Sequence, residues 1–228
     1  MDQEKEISSE NPSETPSSFS FISGALCLDF INTAGWYRDT VVSDGLASYG
    51  ELLLWAREAG VLSATEADIL SERCSRDAAI SADALNNARE VRALLQRLFQ
   101  MIEAGAQPNA ETLARFNEAL AVTLSTMRLA LDDGSFRWTW AEHGCDNLRS
   151  PLSPIIWSAA TLLLSEDRHR VRSCAGRYCG WFYIDRSRNG LRRWCSMASC
   201  GSRAKARRHY QRRRDRSRVS DPATLLEA

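Results

Sequence analysis

The sequence predicts a mainly α-helical body carrying one β-hairpin, followed by a small C-terminal metal module built from a hairpin and a helix. Three observations predict it. Apolar residues recur at helical spacing across four segments between Leu46 and Leu124, and then switch to strict alternation from Met127 to Trp140. Four cysteines fall in two pairs, Cys174/Cys179 and Cys195/Cys200, close to the C-terminus. Charge is divided unevenly: Arg168 to Arg218 holds 17 basic residues against Asp185 and Asp215, whereas residues 1–167 hold 12 basic and 25 acidic ones. The formal net charge of +0 therefore hides an acidic body and a basic arm, an asymmetry that points to a polyanionic partner.

Taken in order, residues 1–18 are rich in Ser, Glu and Pro and poor in large apolar side chains, so a disordered tail is expected there. A domain over residues 19–167 follows. It opens with the short apolar stretch Phe21 to Thr33 and a polar loop through Asp44. A helix is expected from Leu46, with Gly60 as its C′ residue. Ser63-Ala64-Thr65-Glu66 is a capping-box pattern opening a second helix to about Asp77. A third is expected from near Asp83 to Ala104, and a fourth after Asn109. Met127, Leu129 and Leu131, then Asp133-Gly134, then Phe136, Trp138 and Trp140 spell a β-hairpin. A last helix starts after Pro151 or Pro154.

The metal module spans 168–216, with a flexible tail at 217–228. Val171 to Ser173 and Trp181 to Ile184 read as strands, Arg186 to Gly190 as a turn, and Arg192 to Cys195 as the returning strand. Ser196 is the expected N-cap of a helix to about Arg216, which places Cys200 in the first helical turn. The order hairpin then helix resembles a treble-clef zinc finger. Four thiols at this spacing form a closed tetrahedral site for one Zn²⁺ per chain, with ligands Cys174, Cys179, Cys195 and Cys200. About 45 residues cannot bury enough apolar surface to fold alone, so the metal is the expected staple, around a small core of Trp181, Phe182 and Trp194.

The basic residues expected to meet double-stranded DNA are Arg188, Arg192, Arg193, Arg203, Lys205, Arg207, Arg208, Arg212 and Arg213. Asp215 is the only acid between Arg186 and Arg218, whereas a merely solvated face mixes signs. RNA or an acidic protein partner is the alternative. In the body, Asp29, Asn32, Thr33 and Arg38 are the candidates for lining the pocket of an unknown small-molecule effector, although residues of these types more often close a local turn. His143 and Cys145 lie close together without a surrounding motif, and a four-thiolate site leaves no open coordination position, so no catalysis is expected. Absence of an export pattern and of a long apolar run predicts a cytoplasmic protein without a membrane span. In such a compartment paired cysteines hold metal sooner than disulfides.

Two longer patterns carry a resemblance. Asp185-Arg186-Ser187-Arg188-Asn189, Arg192-Arg193-Trp194-Cys195-Ser196-Met197 and Cys200-Gly201-Ser202-Arg203, with the first cysteine pair before them, resemble the CGNR zinc finger. Ser202 stands where that family has its name-giving Asn. Leu26 to Thr33, the Leu53 to Leu62 helix and the helix before the finger resemble the ABATE domain that usually precedes it. The resemblance implies a bacterial DNA-binding transcription regulator without catalytic activity. The body is expected to adjust DNA affinity by sensing an effector or by forming a homodimer.

Overall fold

The computed structural model describes residues 19–37, 40–140 and 148–219, without the side chains of residue 132 and of residues 213–219. Arg38, the His143/Cys145 loop, the 1–18 tail and the last residues of the C-terminal tail lie outside the described residues.

The body is assembled around its shortest helix. α1 (Leu26–Ile31) is six residues long, and Cys27, Leu28, Phe30 and Ile31 are fully buried. So short a helix has no stability of its own, and it exists because the helices Ala78–Glu103 and Leu152–Leu164 pack over it. The chain then makes a bulged hairpin, β1 (Ala34–Tyr37) with β2 (Thr40–Asp44). Helices α2 (Tyr49–Glu58), α3 (Ala64–Arg76), α4 (Ala78–Glu103) and α5 (Ala110–Thr126) follow.

Both α2 and α3 open with complete capping boxes, Ser48/Glu51 and Ser63/Glu66. The first helix of this series begins at Tyr49 rather than Leu46. Asp44 accepts the Leu46 N–H (2.8 Å) and holds that residue in a turn, leaving Ser48 as the cap. The long helix begins five residues before the expected Asp83. The Asp77 carboxylate receives the N–H groups of Ala79 and Ile80, a cap hidden in a stretch without a strong apolar period. Met127–Asp132 (β3) and Ser135–Trp140 (β4) form the expected hairpin, and α6 (Leu152–Leu164) returns through the core.

A 3₁₀ turn, Glu166–Arg170, leads into the C-terminal region. There β5 (Val171–Ser173) pairs antiparallel with β6 (Phe182–Ile184). The expected returning strand at Arg192–Cys195 is not a strand. Its backbone is claimed by other partners: Asp185 takes the Arg192 N–H, Tyr183 Oη donates to the Arg192 carbonyl, and the Arg192 guanidinium takes the carbonyls of Trp194 and Cys195. With the Cys195 N–H directed at Cys174 Sγ, little remains for a ladder. A π turn (Met197–Gly201) precedes α7 (Ser202–Val219), and Ser196 makes no side-chain cap.

β6 alternates between two cores. Phe182 and Ile184 point into the body, where Phe182 lies 6.4 Å from Phe99 of α4 between ring centroids. Tyr183 points the other way and packs with the four cysteines, Trp181 and Trp194. The expectation that Phe182 belongs to the small metal-module core is therefore corrected: period-2 alternation hands it to the larger core next door.

Candidate metal centre and nucleic-acid interface

The four cysteines converge, with all Sγ atoms within 4.8 Å of one another and all four residues buried. A tetrahedral Zn²⁺ with Zn–S near 2.3 Å sets neighbouring sulfurs about 3.8 Å apart. The Cys179–Cys195 sulfur pair is at 3.7 Å, so the cluster has the dimensions of a one-metal site. Its donor set, four soft thiolates in a closed shell, suits zinc as a structural ion.

Charge argues the same way. The Cys174 thiol is drawn down to about 2 by the thiols of Cys179 and Cys195, despite burial, and the N–H groups of Cys195 (3.2 Å) and Gly176 (3.4 Å) also point at its sulfur. The same crowding pushes Cys179 upward, foremost through Cys174, and Cys195 up to about 12. Cys174, Cys179 and Cys195, so close, cannot all ionise alone, and a dication removes the conflict.

Body and loop residues fix the ligands. The Cys179 carbonyl accepts from the Trp36 N–H (3.1 Å), and Trp181 Nε1 donates to the Ala34 carbonyl (3.0 Å), so β1 braces the first knuckle. Gly180 has φ +62°, and a Cβ there would sit 2.6 Å from the Trp36 Cβ and carbonyl. At Gly176 a Cβ would come within 2.8 Å of Cys200 Sγ. Gly176 is imposed by contact, and at Gly180 contact adds to the positive φ.

Asp185 gives the Asp-x-Ser-Arg-Asn stretch its physical role. Its carboxylate accepts the Ser187 N–H (2.9 Å) and the Arg192 N–H (3.0 Å), closing the loop that delivers Cys195. Burial alone would raise its pKa, but hydrogen bonds from Ser187 and Arg192 outweigh that and hold it below the ordinary value. The Asx-turn chemistry of Asp-x-Ser was the signal in the sequence that could have found it.

The candidate DNA-facing residues divide. Arg188, Arg193, Arg203, Lys205, Arg207, Arg208 and Arg212 are exposed. Arg213 lies on α7, with its side chain outside the described residues. Arg192 turns inward instead, 4.2 Å over the Tyr183 ring, and binds the carbonyls named above. Arg203 has a second partner: Nη2 donates to Cys200 Sγ (3.0 Å), and this thiol, above all, raises the guanidinium pKa. Ser202 Oγ donates to the Met197 carbonyl (2.9 Å) and so ties the π turn to α7 where the family Asn is replaced. Between the first knuckle and α7 lies a cleft of about 250 Å³, lined by Gly176, Arg177, Cys200, Arg203 and Arg207. Arg177 was missed because it sits inside the cysteine loop, away from the arginine run.

In the body, Asp29, Asn32 and Thr33 come together along a cleft of about 300 Å³ that Trp55 and Trp181 also line. Each already has local work. Asp29 accepts the Ser23 N–H (3.0 Å), and burial, the main influence, raises its pKa. The Asn32 amide donates to the Phe182 carbonyl and accepts its N–H, both at 2.8 Å, taking the place of a strand neighbour for β6. Thr33 Oγ1 donates to the Phe30 carbonyl and accepts from Arg92 (2.9 Å). Arg38 lies outside the described residues.

The family model for ABATE, described as "Putative stress-induced transcription regulator", matches residues 24–166. The chain belongs to the ABATE family. The CGNR zinc finger model matches residues 170–213, which contain all four cysteines. These are families of a regulator and of a zinc finger, not of enzymes. No curated protein matches the chain. Among the described residues no helix is long and apolar enough to cross a membrane.

Proposed function

We propose that this ABATE protein is a cytoplasmic transcription regulator that docks on double-stranded DNA through its zinc finger. The observation that carries the reading is the cleft beside the metal centre. Among the described residues three guanidiniums, from Arg177, Arg203 and Arg207, line it and no carboxylate does, and the exposed arginines of α7 continue from it. A zinc ion, when bound, supplies the staple that fixes Cys200 at the base of α7. Gly176 and Arg203 then hold the cleft open at its inner end, while Arg207, Arg208 and Arg212 track the phosphate backbone. The acidic body repels phosphate and leaves the finger as the docking surface. It adjusts DNA affinity through self-association or through a ligand in the cleft beside Asp29.

The test is duplex binding measured across a salt series. Binding should weaken steeply as salt rises, and the joint variant Arg207→Ala/Arg208→Ala/Arg212→Ala should lose at least tenfold in affinity and flatten the salt dependence. Unchanged binding by that variant, with zinc retained, would remove α7 from the interface. Preference for single-stranded RNA over duplex DNA in the same titration would favour the RNA alternative.

A further inference from the structure

The β3–β4 hairpin leaves the body with one apolar face uncovered. In its register Met127 faces Trp140, Leu129 faces Trp138 and Leu131 faces Phe136, so all six project from one side, while Arg128, Ala130, Arg137 and Thr139 occupy the other. The base of this face is anchored: Trp138 meets Trp157 of α6 edge-on at 6.4 Å, and Met127 and Trp140 are partly buried. Beyond these contacts the face is open. Leu129 is 59% exposed, Leu131 65%, Phe136 72% and Trp138 53%. Two strands alone are marginal in water, and among the described residues this pair gains burial from the body only at one end.

We propose that a second copy of this chain covers the face, hairpin against hairpin about a two-fold axis. The inference rests on reading the body as a self-associating element, not on DNA binding. Three points select this occupant. The four exposed side chains present on the order of 500 Å² of apolar surface, at the upper end of the roughly 300–600 Å² of the largest patch on an ordinary monomer, a patch that is often functional. With the partly buried residues at the base, the face comes to roughly 600 Å², the low end of the roughly 600–1,000 Å² per partner of a specific interface. The residues outside the described ones carry only four large aliphatic side chains, Met1, Ile7, Leu225 and Leu226, split between the two ends of the sequence. Finally, an apolar face without a charge on it is self-complementary, as an isologous interface requires.

The test is sedimentation equilibrium of the zinc-loaded full chain over roughly 1 to 100 μM, a range that brackets a stable or a weak dimer. The wild type should show the mass of two 25.5 kDa chains in the upper part of that range. The variant Leu131→Lys/Phe136→Lys places two cations opposite each other in the face, and it should remain a single chain with unchanged helicity and zinc content. Leu129→Gln should weaken association at least tenfold, and it serves if the lysine variant fails to fold. Arg128→Gln, on the opposite side of the hairpin, should leave the dimer intact. A wild type that stays a single chain overturns the proposal and leaves the face to a different protein. A dimer that survives both face variants places self-association elsewhere and overturns it too. Duplex binding of the same samples is read separately: loss of DNA binding without loss of the dimer, or the reverse, tells the two proposals apart.

Discussion

The body and the finger share one strand and touch again at β1, yet they are held by different forces. The body buries an apolar cluster running from Cys27 through Leu98 and Phe99 to Leu162, with capping boxes setting its helix starts. The finger has Tyr183, four cysteines and two partly buried tryptophans. Its loops are drawn tight by hydrogen bonds to sulfur, by Asp185 and by the Arg192 guanidinium, and a metal completes it. The difference teaches that the finger is not an appended bead. β6 is a shared wall, with one face owned by each core, and Asn32 clamps it from the body side.

Metal removal should split the two regions most widely. Chelation, or Cys195→Ser, forfeits apparent binding energy on the order of 10 kcal/mol, all of it from the finger. Proteolysis should then cut freely between 185 and 212, while circular dichroism retains the signal of α2 to α6. Co-operative loss of both regions would show one folding unit.

Phe182→Ala probes the wall from the other side. Removing a ring that is 1% exposed should cost the body about 3–5 kcal/mol in urea denaturation, with zinc content by elemental analysis still one per chain. Metal lost along with body stability would place Phe182 in both cores.

A smaller, pH-dependent loss comes from Asp44. Arg92 is 2% exposed and its Nη atoms meet both oxygens of that carboxylate. Burial raises the Asp44 pKa, but hydrogen bonds from Arg92 outweigh it, so the folded value lies below the unfolded one. The stabilisation is therefore complete above the unfolded pKa of about 3.9 and fades as pH falls through the lower folded value. Asp44→Asn should cost about 3 kcal/mol at pH 7, because Arg92 is left unpaired, and progressively less below pH ~4 in thermal melts.

The smallest effect belongs to Tyr183→Phe, which removes only the hydrogen bond to the Arg192 carbonyl. About 1 kcal/mol should vanish from the finger, read as faster zinc transfer to a chelator, with the body melting as before. A change in body stability instead would show that the two faces of β6 are mechanically coupled.

Much of this was legible beforehand because local chemistry carried it. Ser63 and Glu66 announce a capping box by spacing, Asp133-Gly134 announces a hairpin, and the cysteine pairs announce a four-sulfur cluster. Legibility failed where a distant group decided the outcome. Arg192 looks like one more basic residue of the arm, yet Tyr183 and two carbonyls bind it inward. Arg192 to Cys195 looks like a strand, yet Asp185, Tyr183 and Cys174 take its hydrogen-bonding groups. Asn32 looks like a turn residue, yet its amide spans 150 positions to satisfy Phe182.

By itself, then, the sequence determined the existence of helices α2 to α6, the caps at Ser63 and Asn109, the β3–β4 hairpin, the four-cysteine cluster and the charge asymmetry. These depend on neighbours a few residues apart, and they follow from propensity, periodicity and the donor preferences of a metal. Only the tertiary structure decided which core each face of β6 joins, which arginines reach solvent and which are consumed internally, and that β1 braces the first knuckle. Those outcomes depend on competition among partners far apart in the chain, and that competition is resolved only when the two cores close on the same strand.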